Sequence, residues 1–386
     1  MGGIGREGSL TADGVFSLRM NARYNPVMLR PRRVAVLLPN WVGDVVMATP
    51  ALGALRRRWP AARITHVGPA IALETLAGSG LCDEAVEDSS RQRPRPANLL
   101  ATAARLRRHR CELAVLMPNS FRSAALARLA GICELAGYDR DGRGWLLTHR
   151  ICPLRDPKGG FVPVSMVEYY LNLARMFGAD CEDAQMRLSV TEADRDAAEA
   201  LLRDAGYDGE RPLVMLNPGA AFGTSKMWLA ERYAAVGDAL IDRCGAGIII
   251  HAAPAEREIA RQVAETMRNK PLLSFAERSS SLSLLKALCG RCDVVVTNDT
   301  GARHVAAAMG AGVVTIFGST DPAWARIDYH RERILRASVP CSPCQRPVCP
   351  QPAGPLYHQC MTAITVEQVL SAVEELLSTP TGRRQK

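Results

Sequence analysis

The apolar run Val294-Val295-Val296 passes directly into Thr297-Asn298-Asp299-Thr300-Gly301 and then into a small-residue stretch over 302–309. A short β-branched run, a tight turn and a helix in that order belong to a parallel sheet, whose crossover helices cover both faces. The turn also directs unpaired backbone N–H groups and a helix N-terminus to one place, an arrangement that suits an anion. Asp299 and His304 flank it. Taken alone, the segment reads equally well as an ordinary helix capped by Asp or Thr.

The same unit recurs along the chain, in two series. The first has strands at 34–38, 63–67 and 113–117, with helices near 45–58, 97–108 and 123–129. The second has strands at 213–216, 247–251, 294–297 and 313–317, with helices near 230–243, 255–268, 282–288 and 302–309. Helices near 164–177 and 192–205 lie between them. The pattern predicts an α/β chain of two doubly wound, Rossmann-like domains facing a cleft, with ligands at the carboxyl ends of the strands. A length of 386 residues suits two such domains. The expected boundaries are a disordered extension over 1–32, a first domain over 33–185 and a second over 186–364. A final helix over 365–378 carries Val366, Val369, Leu370, Val373, Leu376 and Leu377 on one face. That face must pack on something, and the first domain is its expected partner.

Charge is unevenly placed. Residues 1–180 hold 25 Lys and Arg against 15 Asp and Glu, a net of +10, whereas residues 181–386 hold 23 against 24. A basic face of this kind meets phosphates, or it is simply a solvated surface. Aromatic residues make up only 5% of the chain, too few for a stacking platform on single strands, and no nucleic-acid module is recognisable. No apolar run reaches the roughly 18–20 residues that span a bilayer, and the first 33 residues lack a signal-peptide core. The expected location is cytoplasmic, with a peripheral place on the inner membrane surface. Twelve cysteines in a chain of this length do not suggest a secreted disulfide framework.

Four segments could carry chemistry. Pro39-Asn40-Trp41-Val42-Gly43-Asp44 follows the first strand, and Asp44 either caps a helix or takes a proton from a substrate hydroxyl. No G-x-G-x-x-G stands there, which argues against a dinucleotide site. The stretch from Asn217 to Trp228 holds Gly219, Gly223, a Thr224-Ser225 pair and Lys226, a plausible phosphate cradle that lacks the P-loop order. His251 ends a strand, and Glu256 opens a helix where an acidic residue can hold ribose hydroxyls. Cys341, Cys344, Cys349 and Cys360 open with C-x2-C spacing and could hold a structural zinc; disulfide and free-thiol states are the alternatives.

In order, these segments resemble the bacterial heptosyltransferases of the lipopolysaccharide inner core, in glycosyltransferase family 9, of the ADP-heptose:LPS heptosyltransferase II type. The resemblance covers roughly residues 33–378. It rests on Asn40-Trp41-Val42-Gly43-Asp44, Pro118-Asn119-Ser120-Phe121-Arg122-Ser123, and Pro218-Gly219-Ala220-Ala221-Phe222-Gly223 with Lys226 and Trp228. Thr297-Asn298-Asp299-Thr300-Gly301 with His304, and Phe317-Gly318-Ser319-Thr320-Asp321-Pro322, complete it. It implies a GT-B fold and inverting transfer of L-glycero-D-manno-heptose from ADP-heptose to a phosphorylated heptosyl-Kdo-lipid A acceptor, by a monomer and without a catalytic metal. Asp44 would be the base. Gly219, Thr224, Lys226, Glu256, Asp299, Thr300, Gly301 and His304 would bind the donor. Asn119, Ser120 and Arg122 would bind the acceptor. A heptosyltransferase I-type enzyme, another GT-B transferase or epimerase, and a non-catalytic nucleotide-sugar-binding protein are the competing readings.

Overall fold

The computed structural model describes residues 27–91 and 96–379. Their strands form two six-stranded sheets in which every neighbouring pair is parallel. The first contains β1 (Arg33–Leu37), β2 (Arg63–Gly68), β3 (Glu84–Glu87), β4 (Leu113–Leu116), β5 (Glu134–Tyr138) and β6 (His149–Ile151). Around it lie α1 (Val42–Arg58), α2 (Ala70–Thr75), α3 (Pro96–Arg107), α4 (Phe121–Leu129) and α5 (Met166–Arg175). The second sheet contains β7 (Leu213–Asn217), β8 (Gly247–Ile250), β9 (Leu273–Ser274), β10 (Val294–Asn298), β11 (Gly312–Phe317) and β12 (Glu332–Arg336). Its helices include α6 (Glu192–Asp204), α7 (Ala230–Cys244), α8 (Arg257–Thr266), α9 (Leu282–Arg291) and α10 (Gly301–Ala308). The short α11 (Gln359–Thr362) and the terminal α12 (Val366–Ser378) complete that half.

The strand orders are β3-β2-β1-β4-β5-β6 and β12-β11-β10-β7-β8-β9, one winding scheme used twice. Connections change direction between β1 and β4, and again between β7 and β10. Ligands of open α/β sheets bind at such points. The loops after β1, β4, β7 and β10 are four of the segments singled out by sequence. The central strands are wholly buried, as their unbroken apolar runs require.

The two halves touch through helix ends. The N-termini of α1 and α10 meet so closely that a Cβ on Gly43 would lie 2.9 Å from Cδ2 of His304, and one on Gly301 would lie 3.1 Å from Cβ of Val42. Ser165 Oγ donates to Arg326 O (2.8 Å), and Met166 N donates to Trp324 O (3.2 Å). Lys286 of α9 is fully buried and donates to Glu74 O, Thr75 O and Ala77 O at the end of α2.

Two boundary expectations are corrected. Residues 27–32 are not a loose extension: Val27 N donates to Met176 O, Trp59 Nε1 donates to Leu29 O, and Val27 and Leu29 pack on the core. Residues 1–26 and 380–386 lie outside the described residues. The terminal helix does not return to the first domain. Its face of Val369, Leu370, Val373 and Leu376 joins the core of the second sheet, and Arg243 and Arg333 pair with Glu367, Glu374 and Glu375 along its polar side. No helix among the described residues is long and apolar enough to cross a membrane.

Candidate active site

Asp44 stands in the first turn of α1, whose N-cap Trp41 offers no side-chain hydrogen bond. Among the described residues its carboxylate has no hydrogen-bonded partner. Burial pushes it up to about 6, although a helix N-terminus by itself favours the ionised form. Tyr170 of α5 lies near enough for the Asp44 charge to act on its phenol. An unpaired carboxylate that titrates near 6 is suited to accept a proton at neutral pH.

Across the contact between helix ends lies the turn Asp299–His304. Asp299 is buried, and Lys226 Nζ donates to its Oδ2 (2.7 Å) and its backbone O (3.0 Å). Thr320 Oγ1 donates to the same Oδ2 (2.7 Å), and Arg303 Nη1 stands 3.7 Å from Oδ1. Burial works to raise the Asp299 carboxyl; the Lys226 charge and hydrogen bond, with Arg303 and Thr320, outweigh it and hold the group below its ordinary value. Lys226 has three N–H donors, so one stays available to an anion. His304 is buried, its Nδ1 has no partner among the described residues, and burial followed by the Arg303 charge lowers it to about 3, so the ring is neutral.

The loop after β7 closes the cradle. Asn298 at the end of β10 donates to Pro218 O (2.8 Å) and Gly219 O (3.2 Å) and accepts from Trp228 N, so both loops are pinned to one side chain. Gly219 abuts the Glu256 carboxylate closely enough that any Cβ would strike it, and burial raises Glu256. Thr224 is exposed at the start of a 3-10 turn, while Thr300 is the N-cap of α10 and Gly301 its first residue. Ser225 is turned away: its hydroxyl is held by Ser319 and Arg346 O, and its N–H donates to Pro347 O.

The acceptor-side residues are tied into the fold. Ser120 Oγ caps α4 by accepting from Ser123 N (3.3 Å). Asn119 Oδ1 accepts from Tyr169 Oη (2.9 Å). Arg122 donates from Nη1 (2.9 Å) and Nη2 (2.8 Å) to the two oxygens of Asp88. Behind the loop, Arg143 is fully buried and donates to Tyr138 O, Pro118 O, Ser120 O and Ser123 Oγ.

Cys341, Cys344, Cys349 and Cys360 form no disulfide, and among the described residues no group of three or more His, Cys, Asp or Glu side chains is already arranged as a metal site. Cys360 is buried beside Met361, while Cys349 Sγ accepts from the His358 N–H. Burial, then the neighbouring Cys341, Cys344 and Cys349, push the Cys360 thiol up to about 11, which keeps it protonated.

The profile of glycosyltransferase family 9 (heptosyltransferase) matches residues 99–353. The chain belongs to glycosyltransferase family 9. The enzyme is 27% identical over 361 residues to lipopolysaccharide heptosyltransferase 2 of Salmonella typhimurium, covering 90% of this chain and 99% of that one. The structure of E. coli ADP-heptose LPS heptosyltransferase II matches with a TM-score of 0.71 at 26% identity, covering 89% and 98% of the two chains. A family 9 glycosyl transferase from Veillonella parvula, 22% identical, shares the fold with a TM-score of 0.79 over 92% and 99%. The paired doubly wound domains of the family 9 enzyme are thus a GT-B fold.

Sequence reasoning missed Asp88 and Arg143. Asp88 follows the short polar strand β3, whose Glu-Ala-Val-Glu gives no apolar run to mark it. Arg143 bonds mainly to backbone carbonyls, which no spacing of side chains reveals. Part of the basic surplus of the first half has internal work in this glycosyltransferase. Arg56, Arg57 and Arg58 reach Asp83 and the carbonyls of Ala62, Asp180 and Phe177 at the C-terminal end of α1. With a rise of 1.5 Å per residue, that end is about 25 Å from the cleft.

Proposed function

We propose that the enzyme transfers L-glycero-D-manno-heptose from ADP-heptose to the heptosyl-Kdo-lipid A inner core of lipopolysaccharide, with inversion at the anomeric carbon. The observation that carries this reading is an unpaired Asp44 carboxylate, raised to about 6, on the helix end that meets the Asp299–His304 turn bound to Lys226. Asp44 takes the proton of the acceptor hydroxyl as its oxygen attacks the anomeric carbon. The bond to the β-phosphate oxygen breaks on the opposite side, and ADP leaves with the electron pair. Lys226 and the amides at the start of α10 offset the charge that collects on ADP. Glu256 receives the ribose hydroxyls. Asp299, already bonded to Lys226, aims that lysine rather than touching phosphate. The route calls on no catalytic metal, and we assign it to a monomer resting on the cytoplasmic face of the inner membrane.

The homologues named for heptosyltransferase 2 support the choice of donor and acceptor over other nucleotide sugars. A coupled assay of ADP release with ADP-heptose and monoheptosylated Kdo-lipid A tests it. Acceptor-dependent release, with the α or β configuration of the product opposite to that of the donor, is the expected result. Preference for a UDP or GDP sugar would overturn the assignment.

A further inference from the structure

The pocket at the switch point of the first sheet, between the ends of β1, β2 and β4, is lined among others by Asn40, Gly68, Asp88, Ser120 and Arg122. Among the described residues Asp88 and Arg122 are its charged lining residues, and they are paired to each other. The pairing is a two-pronged one, with both Asp88 oxygens engaged. Asp88 is 7% exposed, and its Oδ1 also accepts from Ser90 N (3.2 Å) and Ser90 Oγ (2.5 Å). The carboxylate is therefore fixed in place, and it fixes the guanidinium.

This geometry changes what Arg122 can recognise. A phosphate reaching the guanidinium would also stand a few ångströms from the Asp88 carboxylate. At an effective dielectric near 20, two unit charges about 4 Å apart interact by about 4 kcal/mol, so repulsion from Asp88 cancels much of the attraction to Arg122. A hydroxyl meets no such opposition, since it can accept from the guanidinium and donate to a carboxylate or amide oxygen. Arg122 keeps Nε–H and one Nη1 proton without a protein partner among the described residues, and the Asn40 and Ser120 side chains supply further donors and acceptors in the same pocket.

We propose that Asp88 and Arg122 act as one net-neutral hydrogen-bonding unit that reads sugar hydroxyls of the acceptor, not its phosphates. The inference rests on the function proposed above for its acceptor, and it assigns Asp88 as a specificity-determining and positioning residue.

The test is Asp88→Asn, which keeps the shape and removes the charge, with Asp88→Glu and Arg122→Gln alongside. KM for donor and acceptor and kcat are measured with the heptosyl-Kdo acceptor carrying its lipid A phosphates and with the same acceptor after phosphatase treatment. Calorimetric titration of both acceptors needs no turnover, so it judges the pocket even where the transfer assay fails and thereby separates this inference from the proposed reaction. Asp88→Asn and Arg122→Gln are expected to weaken both acceptors alike, by about tenfold, with donor KM and kcat little changed and partial recovery in Asp88→Glu. Tighter binding of the phosphorylated acceptor by Asp88→Asn would overturn the proposal, because it would mean that the freed guanidinium captures phosphate. Equal losses for donor and acceptor together with a lower unfolding temperature would also overturn it, by reducing Asp88 to a structural role.

Discussion

Asp44 carries two opposed demands. As a base it must be ionised, yet its surroundings disfavour charge and raise it to about 6. kcat/KM is therefore expected to fall about tenfold per pH unit below 6 and to level off above it, read from initial rates of ADP release across pH 5–8. A profile flat through pH 6 would point to another base. Stability should run the other way. The unfolded chain releases this proton near 3.8 and the folded chain near 6, so between those values the folded state binds more protons and loses stability as pH rises. Above pH 6 the ionised carboxylate costs on the order of 3 kcal/mol. Asp44→Asn should remove that cost and raise the unfolding midpoint in urea at pH 7.5, while abolishing transfer.

The loops at strand ends are shaped by what backs them. Gly223 has φ of +148°, and any Cβ there would collide with Pro347 of the cysteine-rich loop. Ser225, two residues on, is held by the same loop through Arg346 O and Pro347 O. That loop thus serves as a back wall for the Lys226 turn. Gly223→Ala is expected to raise donor KM by about tenfold while leaving acceptor KM unchanged, measured by varying each substrate in turn. The inner strands were legible in the sequence because both of their faces are buried. Strands such as Glu84–Glu87, His149–Ile151 and Glu332–Arg336 were not, because a partly exposed edge needs no apolar run. Missing β3 hid Asp88 with it. Asp44, Lys226 and Asp299 were visible because each follows a well-marked strand, whereas the Lys226–Asp299 pairing is a long-range contact that only the fold brings about.

At the scale of the molecule, two copies of one winding scheme bring two helix N-termini to a common cleft. Lys286 clasps the halves at one side, its ammonium fully buried against three carbonyls at the end of α2. Burial lowers its pKa from the usual lysine value, with Asp194 and Glu74 opposing. Lys286→Met takes a donor from all three carbonyls, of which Glu74 O keeps the Ala77 N–H, and should cost about 2 kcal/mol. Hydrogen exchange at α2 and α9 is expected to quicken, and unchanged protection there would remove the clasp from the account. The central claim is that one carboxylate on the first domain acts on a donor held by the second. Its most direct test is Asp44→Asn, with ADP binding measured by calorimetry and turnover by ADP release. ADP affinity is expected within about twofold of wild type, with a fall in turnover of 10²-fold or more. Turnover near the wild-type rate, or loss of ADP binding along with it, would contradict that claim.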